Sequence, residues 1–236
     1  MNDMISDHEY FSNAIIEIGK NSTKELINTI LIKLENLGVW YLKAIINEED
    51  NLTNFINALY NKTLTHIELI LTKRCFDRFS SILKDSRISS ISIYNCDYTK
   101  FEVYNNITLN YRTEDINELP LLCAQIKFRK FNFNINSYLD SLSGNSCLWG
   151  KICITDNGNV KRCIFSPKSF GNIADLSFLE NNQFILLGKI NKNSIEKCKD
   201  CEYRMVCTDC RTYTTNNSLF SPPKFCKYNP YKGEWE

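Results

Sequence analysis

Eight of the eleven cysteines in this 236-residue chain lie within its last 90 residues, in the order Cys147, Cys153, Cys163, Cys198, Cys201, Cys207, Cys210 and Cys226. Thiols at that density either close disulfides or hold metal. The chain starts MNDMISDHEYFSN, which is acidic and polar and lacks the basic and apolar segments of a secretory signal. A cytoplasmic protein is therefore expected, and in that compartment dense cysteine reads as metal or redox chemistry. Thiolates are soft donors, and a tetrahedral set of four selects zinc or an iron–sulfur cluster. Eight cysteines make two such sets.

The spacing narrows the choice. Cys147-x5-Cys153-x9-Cys163 is followed, after 34 residues, by Cys198-x2-Cys201-x5-Cys207-x2-Cys210, and Cys226 follows 15 residues on. The turn-forming tetrad Asp156-Asn157-Gly158-Asn159 predicts a hairpin that brings Cys153 and Cys163 to one locus. In Cys198-x2-Cys201 a tight turn faces both thiolates to one centre while backbone amides point at sulfur. A zinc ribbon wants two CxxC pairs about 15–20 residues apart. Here five residues separate Cys201 from Cys207, so iron–sulfur is favoured and zinc stays open. Lys161, Arg162, Lys197, Lys199, Arg204 and Arg211 are available to offset thiolate charge, although each reads first as an ordinary surface charge.

Composition divides the chain near Ser143-Gly144-Asn145. Residues 144–236 hold four of the five prolines and six of the eight glycines. The expected organisation is an α/β domain over residues 1–143 and a small cysteine-rich domain over 144–236. In the first part, Asn21-Ser22-Thr23 with Glu25 marks a helix start. Leu26, Ile27, Ile30, Leu31 and Leu34 follow at helical spacing, and Gly38 ends the helix. Strands are expected over 39–46, 64–71 and 88–94, and helices over 51–60, 76–84 and 134–142. Residues 101–128 look strand-like but less regular. These α/β repeats suit a parallel sheet of three or four strands with open edges, resembling part of a (β/α) barrel, since a complete barrel needs about 200 residues or more.

The formal net charge is +1, so no global field draws the chain to nucleic acid or an anionic membrane. No apolar run approaches the roughly 18 residues of a membrane span. The only histidines are His8 and His66, too few for a histidine-based nucleophilic device, and no glycine-rich phosphate loop is present. Cys75 and Cys96 read as buried packing residues. Tyr228, Tyr231 and Trp235 read as a C-terminal packing patch, with a peptide groove as the alternative.

One further pattern carries family information. Cys147-Leu148-Trp149-Gly150, Gly158-Asn159-Val160-Lys161-Arg162-Cys163 and Phe170-Gly171-Asn172-Ile173 precede the run from Cys198 to Arg211. The tail Pro223-Lys224-Phe225-Cys226-Lys227-Tyr228-Asn229-Pro230-Tyr231 completes it. Over residues 123–236 this resembles the SPASM domain, the C-terminal extension of radical SAM peptide-maturing enzymes. It looks closer to the SPASM-domain peptide maturases of grasp-with-spasm (graspetide-type) systems. The SPASM pattern has three residues where this chain has two, between Cys207 and Cys210.

The resemblance implies a partial (β/α) barrel-like open sheet followed by a SPASM domain with two auxiliary [4Fe–4S] clusters. One would take Cys147, Cys153, Cys163 and Cys210, the other Cys198, Cys201, Cys207 and Cys226. It also implies two partners, a ribosomally made precursor peptide and an ATP-grasp ligase. The CxxxCxxC motif of radical SAM catalysis is absent from the sequence. The expected function is therefore accessory peptide maturation with no catalytic residues of its own. A strand-addition site for the precursor is expected at the edge of the 64–71 strand. The alternatives are an electron-transfer or redox protein and a zinc-stapled interaction module with two Zn²⁺.

Overall fold

The computed structural model describes residues 11–59, 64–78 and 83–235. Its main feature is one mostly parallel sheet of eight strands, twice the number expected. The strands are β1 (Asn13–Ile18), β2 (Tyr41–Ile46), β3 (His66–Thr72), β4 (Ile88–Tyr94), β5 (Lys100–Tyr104), β6 (Ile107–Tyr111), β7 (Lys151–Ile154) and β8 (Val160–Lys161). Their spatial order is β5-β6-β4-β3-β2-β1-β7-β8, with only the edge strands β5 and β8 antiparallel to their neighbours. The sheet is open, and it does not stop at residue 143. β7, from the cysteine-rich part, pairs in parallel with β1, with Ile15 beside Cys153.

Local chemistry explains the helices. Thr23 caps α1 (Lys24–Asn36) by accepting the Leu26 N–H, and Ile27, Ile30, Leu31 and Leu34 form its buried stripe. α2 (Glu49–Leu59) buries Leu52, Phe55 and Leu59. α3 (Lys73–Arg78) begins directly after β3 and buries Cys75; residues 79–82 of the helix expected over 76–84, and Tyr60 of the one expected over 51–60, lie outside the described residues. The three helices pack on one face of the sheet, against Ile16, Leu42, Ile67, Ile91 and their neighbours. The strand-like region after residue 101 resolves into the β5–β6 hairpin followed by α4 (Leu119–Ala124), not further strands.

α4 lies on the opposite face. Ile116, Leu119, Leu122 and Phe165 cover Ile15, Ile45, Ile70, Tyr94 and Cys153 there. Pairing partners in neighbouring strands point to one side. A single row on this face therefore runs Cys153, Ile15, Lys43, Glu68, Ser90, Thr108 and Val103 across seven strands. Lys43 and Glu68 form an ion pair at 2.7 Å in its middle.

The expected edge strand over 64–71 is β3, and it is interior, held between β2 and β4. Its ladder groups are used on both sides, so no peptide can add there. The long free edge belongs to β5, where Phe101 and Val103 are 68% and 62% exposed. Beyond α4 come α5 (Ile135–Ser143), β7–β8, α6 (Asn182–Lys189) and the short hairpin β9 (Tyr228–Asn229) and β10 (Glu234–Trp235).

Candidate thiolate centres

The hairpin predicted at residues 156–159 forms. Cys153 of β7 stands opposite Lys161 of β8, and Cys163 follows β8 directly. Gly158 turns the chain at φ +83°, where an added Cβ would meet Leu26 and Asn172 at 3.2 and 3.1 Å.

The thiols fall into two groups. In the first, Cys123, Cys147, Cys163 and Cys210 line one cavity of about 240 Å³, together with Leu148, Phe165 and Tyr213. A single water needs roughly 10–15 Å³, so the space admits more than one atom. Burial raises the Cys210 thiol, the N–H groups of Tyr213 and Thr212 act against it, and the nearby Cys147 and Cys163 raise it further. Burial also raises Cys163, while its hydrogen bond with Thr212 and the Phe165 N–H pull it down. Cys153 is fully buried beside this group, and burial drives its thiol far upward. Lys151 Nζ lies 3.7 Å from Cys147 Sγ. Burial works to discharge Lys151, yet Cys147, Cys153, Cys163 and Cys123 hold its pKa above the ordinary lysine value.

The second group is Cys198, Cys201, Cys207 and Cys226. The Cys201 N–H donates to the Cys198 carbonyl at 3.1 Å, which closes the two-residue turn. Burial pushes Cys198 and Cys207 up to about 12, with Cys226 a neighbouring charge for both. Cys201 is also raised by burial, against an N–H from Tyr203, and Cys226 is again a neighbour. Cys210 thus stands with cysteines some fifty residues before it, not with the nearer Cys207.

A buried polar bridge joins the groups. Asp209 lies between Cys207 and Cys210 and pairs with Arg211 at 2.6 Å, both side chains being almost fully buried. Asn145 donates to Asp209 at 2.7 Å and accepts the N–H groups of Cys147 and Leu148 at 2.9 and 3.0 Å. Lys192 is buried and donates to Ser146 Oγ at 3.1 Å and to the Cys207 carbonyl. Gly144 makes this junction possible, since a Cβ there would stand 2.4 Å from the Gly188 carbonyl oxygen. Ile126, just past α4, bridges to Cys226, so the chain carrying Cys123 touches the second group as well.

Two of the six cations read as surface charges are buried instead. Arg162 is 1% exposed and donates through Nε to the Phe184 carbonyl at 2.7 Å and through Nη1 to the Lys151 carbonyl at 3.1 Å. Its guanidinium also lies over the Phe184 ring at 3.9 Å. Arg211 is the partner of Asp209 and holds the carbonyls of Leu219 and Ser221. Cysteine spacing alone does not point to Lys151, Lys192, Asn145, Asp209 or Cys123. Lys151 was within reach, because it precedes Cys153 by two in a strand and so shares its face.

Cys75 and Cys96 are buried in the main core, as expected of packing residues. Tyr228 and Trp235 pack with Tyr203 and Phe131, with Tyr228 and Trp235 5.2 Å apart between ring centres. Tyr231 stands outside that patch and donates to Asp200 at 2.8 Å.

The first group sets four soft donors around a space for several atoms, with Lys151 against one of them. Among the described residues, no three of His, Cys, Asp or Glu stand close enough together to grip a single ion, and no helix is long and apolar enough to cross a membrane. No protein-family model matches this chain, and no curated protein or solved structure does.

Proposed function

We propose that this chain is an accessory maturation protein for a ribosomally made peptide, carrying two thiolate-held metal centres and acting beside an ATP-grasp ligase. The observation that supports it most is the sorting of the thiols. Cys210 joins Cys147 and Cys163, while Cys226 joins Cys198, Cys201 and Cys207. That crossed arrangement is what the SPASM resemblance implies for two auxiliary [4Fe–4S] clusters. When bound, such clusters supply redox-active iron and a rigid cross-link between distant segments. The residues present would hold them by sulfur, with backbone N–H groups from Phe165, Thr212, Tyr213 and Tyr203 directed at the ligands.

The catalytic step belongs to the partner ligase in this reading. The chain's own part is to bind the precursor and present it. The edge open to an added strand is β5, so Val103→Pro, which removes an N–H donor there, is expected to weaken capture of the precursor in a pull-down. Unchanged capture would rule out that route.

Metal analysis of anaerobically purified protein decides the cofactor. About eight iron and eight sulfide per chain supports two cubane clusters. Two zinc with no sulfide turns the reading to a zinc-stapled interaction module, the alternative the all-sulfur donor set also suits.

A further inference from the structure

We propose that Cys123 supplies the fourth thiolate of the first centre, beside Cys147, Cys163 and Cys210, and that Cys153 is a packing residue. This rests on the reading of the thiols as metal centres and changes which residues do the holding. The resemblance offers Cys153; the cavity offers Cys123.

The cavity wall carries four sulfurs, and they are those of Cys123, Cys147, Cys163 and Cys210. Cys153 is not among its lining residues. It is completely buried within an apolar set that includes Ile45, Tyr94, Leu119 and Ile164. Its thiol donates to the Arg162 carbonyl at 3.5 Å and receives the Ile164 N–H, so it is satisfied without a metal. A ligand at that place would have to turn away from these contacts.

Cys123 has the opposite environment. It is exposed, and it shares the cavity wall with Cys147, Cys163 and Cys210. Its backbone is held from three sides. Leu119 and Leu122 anchor α4 on the sheet. Lys130 Nζ donates to the carbonyls of Leu122 and Gln125 at 2.5 and 3.0 Å, closing the end of the helix. The Ile126–Cys226 bridge ties the following residues to the second group. A thiol fixed in this way faces the cavity without a loop having to be ordered first.

The test is cluster content in the full chain, purified anaerobically and reconstituted with ferrous iron and sulfide. The wild-type protein is expected to hold about eight iron per chain, Cys123→Ala about four, and Cys153→Ala about eight. The second centre's iron serves as the internal sign that Cys123→Ala has folded. Eight iron in Cys123→Ala, or a fall to four in Cys153→Ala, overturns the assignment. Alkylation with iodoacetamide, read by mass spectrometry, gives a variant-free measurement. Cys123 should be protected in the loaded wild-type protein and reactive after chelation, with Cys153 unreactive in both. Cys123 reactive in the loaded protein overturns the proposal. If the metal is zinc, the same counts read two and one. Wild-type protein that binds neither iron nor zinc defeats the metal reading itself, a result distinct from any failure confined to Cys123.

Discussion

From β1 to β6 the buried side chains are almost all aliphatic or aromatic, and the backbone is satisfied by strand ladders and helices. From Cys147 to Trp235 the longest regular element is the eight-residue α6, and the buried groups include Arg162, Lys192, Asp209, Arg211, Thr214 and Ser221. The first region gains about 1.5–3 kcal/mol for each large apolar side chain it buries. The second buries such side chains too, among them Ile152, Ile154, Ile173, Phe178 and Phe184, but sets charged and polar groups among them. Its segments are also joined by side chains that hold backbone groups, such as Asn145 on Cys147 and Arg211 on Ser221. One region rests on apolar packing alone, and the other mixes packing with buried polar contacts and, under the proposed reading of its thiols, with what they bind.

Metal removal is the strongest way to break that contrast. Structural zinc in small domains contributes about 10–16 kcal/mol of folding free energy. Chelation is therefore expected to strip hydrogen-exchange protection from residues after 195 while the amides of β2, β3 and β4 stay protected. Uniform loss, or none, would erase the distinction between the regions.

Next in size come matched substitutions, one on each side. Phe55→Ala in α2 is expected to cost about 3–5 kcal/mol of stability with or without metal. Asp209→Ala leaves Arg211 buried without its partner and is expected to cost a similar 3–5 kcal/mol. Only the second should also weaken metal retention at both thiol groups, read as metal lost in a competition with chelator. Equal metal retention in the two variants would show that the Asp209 bridge does not link the centres.

Gly144→Ala should cost about 1–3 kcal/mol, because its Cβ would overlap the Gly188 carbonyl and the Trp149 ring. Thermal melting reads this directly, and an unchanged Tm would show that the junction yields.

The smallest effect lies on the sheet. Burial works to raise the Glu68 carboxyl, but Lys43, the Tyr41 hydroxyl and His66 outweigh it and hold the pKa below the ordinary 4.5. A carboxylate held low in the folded state adds stability above its unfolded pKa and loses it as pH falls through the folded value. Lys43→Met should move the Glu68 titration upward by NMR and lower stability at neutral pH by no more than about 1 kcal/mol. A Glu68 titration that stays in place would mean that Lys43 is not what holds it down.

The sequence made some of this legible. The α1 stripe, the Thr23 region as its start, the 156–159 hairpin and the short helix ending at Ser143 all follow from local periodicity and turn chemistry, which act over a few residues. β1 was not legible, because Asn13-Ala14-Ile15-Ile16-Glu17-Ile18 is a short apolar run that periodicity alone does not separate from buried helix. The interior place of β3 was hidden for a related reason, since its neighbours are set by pairing across the sheet. Arg162 and Arg211 looked like surface charges because their burial depends on carbonyls more than ten residues away in sequence or on Asp209 beside a cysteine. Cys123 was passed over because spacing patterns count from cysteine to cysteine, and the 23 residues between it and Cys147 form no recognisable chelating turn.

The pairing of β1 with β7 sets a timetable for synthesis. Asn13 meets Lys151 across 138 residues of chain. At about 5–20 residues per second on the ribosome, one side of β1 waits roughly 7–28 s for its partner. During that interval an apolar strand edge is exposed in the nascent chain, and the segment that finally covers it carries the hairpin of Cys153 and Cys163. Closing the sheet and placing the hairpin that carries Cys153 and Cys163 are thus one event in the life of this protein.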